Sequence, residues 1–243
     1  DSFIAAEAFR NITIKDCNGV SLFNGEFSES EELRCSTFHI IGDCYGSVPE
    51  SLLSTEARDM KQTSTLTGYD APEKNIILTI DSFLQKKAYS LLVSEGYKGC
   101  IIVSDYTTGE IKVMTSTPSV DVSERSYAPQ DSAYLNKALY AYAPGSVFKS
   151  AAVVAAVEKD ANARRFLFTC DSTYSQNVSC YQKRQHGTIG IDGILKNSCN
   201  CGTAALVQKY LTPQEFNSFL NVFGLADPEI YTVGINAKKG YLN

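Results

Sequence analysis

The stretch Pro144-Gly145-Ser146-Val147-Phe148-Lys149, followed by the apolar run Ala151-Ala152-Val153-Val154-Ala155-Ala156-Val157, decides how this chain is read. Pro144-Gly145 breaks the chain and starts a helix that runs from about Ser146 to Lys159. The run is apolar on every side, which predicts a helix buried within its domain. Ser146 and Lys149 are three apart, so a helix brings them to one face. A serine hydroxyl is a poor nucleophile until a neighbour takes its proton. A lysine kept neutral by burial and by a helix N-terminus can be that neighbour. At the helix start, the backbone N–H of Ser146 is also free to meet a developing oxyanion.

Outward from this stretch, composition narrows the field. The chain has 243 residues, 44% hydrophobic and 20% charged, which is a globular balance. Its net charge of −5 argues against nucleic acid as a partner, because phosphate binding needs clustered Lys and Arg. No apolar run is long enough to span a membrane, and no signal peptide opens the sequence. The eight cysteines look scattered. With only His39 and His186 as imidazoles, Cys199-x-Cys201 does not complete a metal site, so no metal or cofactor is expected. Most cysteines read as small buried hydrophobes, and Cys170 with Cys180 is the pair best placed for a disulfide.

The order of elements predicts an α+β chain. Ile12-Thr13-Ile14 and Thr37-Phe38-His39-Ile40-Ile41 read as strand pieces, with Asp16-Cys17-Asn18-Gly19 as a type I′ hairpin turn. Residues 63–74 read as a linker. Asn75–Ile80 reads as a strand, and Asp81 as the cap of a helix with Leu84, Ala88, Leu91 and Leu92 on its apolar face. Cys100–Asp105 reads as a buried strand that returns through Thr107-Thr108-Gly109 as Glu110–Ser116. After the Ser146 helix, short helices are predicted near Gly193–Lys196 and Thr203–Tyr210, and another after Thr212-Pro213-Gln214-Glu215. The expected division is residues 1–70 as a non-catalytic module and 71–243 as the larger domain.

A second element, Ser198-Cys199-Asn200, lies downstream of the Ser146 helix. The landmarks in order are Leu78-Thr79-Ile80-Asp81 with Leu84-Gln85, Thr107-Thr108-Gly109-Glu110-Ile111, Ser116-Thr117-Pro118-Ser119, Asn136-Lys137-Ala138-Leu139, Pro144–Lys149, His186-Gly187 ahead of Ser198-Cys199-Asn200, and Phe223-Gly224-Leu225. In this the chain resembles the class B penicillin-binding transpeptidases of the serine β-lactam-recognising superfamily. The resemblance implies a transpeptidase-like domain, a helical subdomain with an antiparallel sheet, preceded by part of a smaller N-terminal module. It implies Ser146 as the acylated nucleophile, Lys149 as its base, Ser198 as proton relay to the leaving amine and Asn200 as holder of the substrate amide. The substrate would be a peptidoglycan stem peptide, β-lactams would acylate Ser146, and cell-division or elongation proteins would be partners. The site would face outward from the bacterial cell membrane, with attachment only through an N-terminal anchor.

The superfamily's third motif, Lys-Thr-Gly, is not found; Lys238-Lys239-Gly240 is the nearest string. The resemblance therefore implies an incomplete sheet, with the motif in a further ~100–150 residues, about one domain's worth. Without that strand the segment is expected to be unreactive towards penicillin. His186 reads as structural. The rival readings are a serine β-lactamase, which needs a group to activate a deacylating water, and a non-catalytic β-lactam sensor or cell-wall scaffold.

Overall fold

The computed structural model describes residues 9–57, 73–124 and 132–222. They fall into two compact units that divide between Tyr140 and Ala141. Of the linker expected at 63–74, residues 63–72 lie outside the described residues, as do the strings at 223–225 and 238–240, while Lys74 opens a strand.

In the first unit, strands β1 (Ile12–Lys15), β2 (Ser21–Asn24) and β3 (Lys74–Ile77) form a sheet in the order β2-β1-β3. β1 runs antiparallel to β2 and parallel to β3, with Ile14 opposite Phe23 and Ile76. Ile12 and Ile14 point into the core while Lys15 faces solvent, the period-2 signature of a half-buried strand. The β1–β2 turn is not type I′. Only Gly19 takes a positive φ (85°), and the Gly19 N–H bonds back to the Asp16 carbonyl. This is the pattern of a type I turn closed by a left-handed glycine. Asp16 dictates it: its buried carboxylate accepts from the N–H groups of Asn18, Val20 and, farther on, Ser82. Burial opposes ionising Asp16, but these bonds prevail and hold its carboxyl below the usual range.

Thr37–Ile41 is not a strand. It belongs to helix α1 (Glu31–Ile41), capped by Ser30, whose Oγ accepts from the Leu33 N–H. Glu31 and Glu32 lie in its first turn, where the helix dipole favours them, and the Gly42 N–H closes its end on the Phe38 carbonyl. All residues from Cys35 to Ile41 are buried, so neither helical nor strand periodicity shows. The β-branched run therefore misleads where capping and tertiary burial decide.

A helical stretch, α2 (residues 52–57), is followed by α3 (Ser82–Ser94), capped by Asp81 accepting from Phe83 and Leu84 N–H. The buried face of α3 is Ser82, Gln85 and Leu92; Leu84 and Leu91 are exposed, contrary to expectation. Gln85 is the reason for that rotation. Fully buried, it donates to the carbonyls of Ser36 and Met114 and accepts from the Met114 N–H, tying α3 to α1 and to strand β5 (Ile111–Ser116).

β5 pairs antiparallel with β4 (Cys100–Ser104) in a two-stranded sheet. β5 is buried along Val113–Ser116, but Ile102 and Val103 of β4 are exposed, so the expectation of a buried strand is corrected. α1 and α3 cover β5, and no strand lies beyond β4 among the described residues.

The second unit begins with a 3₁₀ turn, Gly145–Val147, that runs into α4 (Phe148–Lys159). Hairpins β6 (Phe168–Cys170) with β9 (Gly187–Ile189) and β7 (Thr173–Ser175) with β8 (Val178–Ser179) follow, then α5 (Ile191–Lys196), α6 (Asn200–Tyr210) and α7 (Pro213–Val222). Val153, Ala156, Ala163, Phe166, Ile194 and Leu206 form its core. α4 is not buried all round: Ala152, Val153, Ala155 and Ala156 are, while Val154 is exposed. Gly202 lets α6 close on α5, because a Cβ there would meet Ile194 Cγ1 at 2.7 Å. α7 starts with a reciprocal cap: the Thr212 N–H donates to Glu215 Oε2 and the Glu215 N–H to Thr212 Oγ1.

Candidate active site

The three residues expected to carry the chemistry meet in the second unit. Lys149 Nζ donates to Ser146 Oγ at 2.8 Å and to Ser198 Oγ at 3.2 Å. The Ser198 hydroxyl donates to Ser146 Oγ at 2.7 Å, closing a triangle. The Ser146–Lys149 side is local, one turn at the start of α4. The other two sides cross about 50 residues and depend on α6 packing beside α4.

Each corner has a local cause. Gly145 takes φ 59°, available to glycine at little cost, and turns the chain into the 3₁₀ start that carries Ser146. Ser146 then occupies the first turn, where backbone N–H groups precede the i→i−4 ladder. Ser198, between α5 and α6, takes φ 51°, a left-handed conformation uncommon outside glycine. Ser146 and Ser198 are exposed and Lys149 is half-buried, less enclosed than the apolar run of α4 suggests. Chemically, the triangle offers a hydroxyl nucleophile, a group to accept its proton and a second hydroxyl to pass one on.

Asn200 is not part of the triangle. Its Nδ2 donates to the Ser179 carbonyl at 2.8 Å, which leaves one N–H and the carbonyl oxygen for other partners.

The same segment carries something the sequence reading missed. Cys199 points away from the triangle's chemistry, into a buried cluster with Cys170, Cys180 and Cys201. Against it stands His186, whose Nδ1 is 3.4 Å from Cys170 Sγ and 3.7 Å from Cys180 Sγ. Four of the eight cysteines are therefore gathered, not scattered, and Cys170 and Cys180 are free thiols 3.6 Å apart, not a disulfide. Burial, with the neighbouring thiols, pushes Cys199 and Cys201 up to about 12. At Cys170 and Cys180 burial is outweighed by hydrogen-bond donors, including His186 and the Cys201 N–H, and both thiols lie below their usual range. The available signal was Cys199-x-Cys201 together with two cysteines and a histidine on the preceding hairpins; the low histidine count hid it.

A sequence model described as "Penicillin binding protein transpeptidase domain" matches residues 99–236, more than half of the chain. The chain belongs to that family. Among relatives of this penicillin-binding domain, the peptidoglycan D,D-transpeptidase FtsI of Buchnera aphidicola (subsp. Schizaphis graminum) is 28% identical over 174 residues, covering 69% of this chain and 30% of the relative. A peptidoglycan D,D-transpeptidase FtsI homolog of Mesostigma viride is 28% identical over 169 residues, covering 62% and 27%. The chain thus spans less than a third of these relatives.

Two solved structures share the fold. Penicillin-binding protein A from M. tuberculosis, as its ceftriaxone acyl-enzyme complex, matches with TM-score 0.71 at 18% identity, over 97% of this chain and 62% of that one. PBP2 of Pseudomonas aeruginosa, in complex with WCK 5153, matches with TM-score 0.73 at 20% identity, over 95% and 58%. The α+β fold class expected from the sequence is the one found, with the sheets partial as anticipated. Among the described residues no helix is long and apolar enough to cross a membrane.

Proposed function

We propose that this chain carries the acylation machinery of a peptidoglycan D,D-transpeptidase that crosslinks stem peptides through a serine acyl-enzyme. The observation that carries the reading is the closed triangle of Ser146, Lys149 and Ser198, with sides of 2.8, 3.2 and 2.7 Å. Lys149 takes the Ser146 proton as Oγ attacks the carbonyl carbon of the penultimate D-Ala. Ser198, within reach of both, passes a proton to the departing amine nitrogen. The Asn200 side chain meets the substrate's amide, and N–H groups at the start of α4 receive the oxyanion. An amine from a second stem peptide then attacks the ester, restores the Ser146 hydroxyl and forms the crosslink. A β-lactam enters the same path because its strained amide mimics the scissile bond, and its ring opening leaves an ester on Ser146.

Its relatives' naming as peptidoglycan transpeptidases supports this assignment, and a peptidoglycan substrate requires the domain to work outside the cytoplasmic membrane. Partners in division or elongation, and attachment through an N-terminal anchor, belong to the same reading.

The test is covalent labelling of the full-length protein by a fluorescent penicillin. One label per chain, mapped by peptide mass to Ser146 and lost in Ser146→Ala, is the expected result. A label on any other residue, or no label on a folded full-length protein, overturns it.

A further inference from the structure

Behind the Ser198-Cys199-Asn200 segment, donor atoms from three separate parts of the chain converge. Cys170 ends β6, Cys180 follows β8, His186 precedes β9 and Cys199 caps α6. Cys180 Sγ lies 3.6 Å from the sulfurs of both Cys170 and Cys199. These three sulfurs and the His186 nitrogen all lie within 4.8 Å of one another. Cys201 Sγ, 3.5 Å from Cys180 Sγ, is a fifth donor against the group.

Zinc–sulfur bonds of about 2.3 Å at tetrahedral angles put sulfurs ~3.8 Å apart, and a sulfur and an imidazole nitrogen ~3.6 Å apart. Four of the six separations, from 3.4 to 3.7 Å, are close to those edges, and the other two are within 4.8 Å. Cysteines buried simply as hydrophobes have no reason to gather three sulfurs around one point beside an imidazole nitrogen. The Gly202 N–H donates to Cys199 Sγ at 3.2 Å, the kind of outer hydrogen bond that orients a thiolate ligand. Were the three thiols to ionise in this buried place, the thiolates would need a cation among them.

We propose that Cys170, Cys180, His186 and Cys199 bind one Zn²⁺ as a closed structural site that fixes Ser198 and Asn200 for the chemistry proposed above. Soft sulfur donors with one imidazole in tetrahedral array suit zinc, and with all four positions filled by protein the ion has no place for substrate. On binding, each of the three thiols releases its proton to solvent and the imidazole binds neutral. The ion joins the β6 end, the loop between β8 and β9, and the α6 cap. It anchors the residue next to Ser198, whose left-handed backbone needs holding. Asn200 is tied to the same place through Ser179, the neighbour of Cys180. Only this positioning role rests on the transpeptidase reading; the metal site stands without it.

The test uses the full-length protein, purified under reducing conditions without chelator. Elemental analysis should find one zinc per chain. Exchange with Co²⁺ should give the sulfur-to-cobalt charge-transfer band and the intense visible bands of a tetrahedral thiolate site. Cys180→Ser should lose the metal, and Cys201→Ser should keep it. Chelation should slow fluorescent-penicillin labelling by about tenfold, with recovery on adding zinc. Cysteine variants that fail to fold leave the decision to zinc content and the cobalt spectrum of the unaltered protein. Absence of zinc with no cobalt band, or a disulfide among these cysteines by mass, overturns the site. Metal lost from Cys201→Ser overturns the ligand assignment. Labelling indifferent to metal in a protein shown to hold it overturns the positioning role. A protein that holds zinc but labels in neither state refutes the transpeptidase reading and leaves the site standing.

Discussion

Ser198 and Cys199 are adjacent in the chain and sit in opposite surroundings. Ser198 is exposed and bonds to the Lys149 side chain and a hydroxyl; Cys199 has no exposed surface and touches sulfur. The two sides differ in what water does for them. The triangle carries a single ionisable amine among hydroxyls that water can solvate, so it stands open to substrate at little cost. Thiols that ionise inside the protein gain no such help, so they need an ion of opposite charge beside them. The lesson is a division of labour across one residue boundary: mobile protons on the outer side, a fixed anchor on the inner side.

The largest test of that contrast is Lys149→Ala. A base that accepts the nucleophile's proton contributes between 10² and 10⁴ in rate, so acylation of Ser146 by penicillin should fall by about 10³-fold. Stopped-flow labelling with a fluorescent penicillin measures it. Zinc content and thermal midpoint should stay unchanged, because Lys149 is only half-buried and forms no ion pair among the described residues. A drop below tenfold would mean another group takes the proton.

The triangle was legible in the sequence because half of it is local. Ser-x-x-Lys at a helix start needs only the 3.6-residue period to bring both side chains together. The long-range half came from the order of the landmarks. Several of those landmarks now have physical roles of their own: Asp81 caps α3, Gln85 bridges α1, α3 and β5, and Asn136 is buried, accepting from the Ser116 hydroxyl. The thiol cluster was not legible, because its donors are 6 to 29 residues apart and are assembled by hairpin pairing, which composition does not reveal. α1 failed for a different reason. Its buried run hides any period, although Ser30, Glu31 and Glu32 before it and Gly42 after it were start and stop signals in plain view.

Gln85 extends the contrast to the first unit, where the same question of burial is answered without charge. Its amide joins three backbone groups, the Met114 N–H and C=O, which depend on it, and the Ser36 carbonyl, which also accepts from the Thr115 hydroxyl. Gln85→Leu has similar bulk but leaves the Met114 N–H and C=O unpaired, at on the order of 3 kcal/mol in total. Urea unfolding should show that loss. Phe83→Ala, two residues away on the exposed face of the same helix, should cost about 0.5 kcal/mol or less. Equal losses would show that the helix surface, not the amide bridge, holds this unit together.

The smallest expected effect comes from His39, a buried titratable group with no ion pair among the described residues. Its Nε2 bonds to the Ala133 carbonyl at 2.7 Å, and its buried Nδ1 has no hydrogen-bond partner. Protonation would create a buried, unpaired N–H on a charged ring, so burial pushes its pKa down to about 4 from an ordinary 6.5. The unfolded chain therefore binds the proton more readily than the folded one below pH 6.5. Stability is full above that pH and falls as pH drops towards 4. Between pH 7 and pH 5 the loss is about 2 kcal/mol. The comparison to make is with His39→Gln, whose amide can donate to Ala133 but does not titrate. Taking the difference between the two proteins at each pH removes the effect of acid on the thiol cluster, which both share. The unaltered protein should lose about 2 kcal/mol more than the variant between the two pH values, and parallel losses would mean that His39 finds a partner once charged.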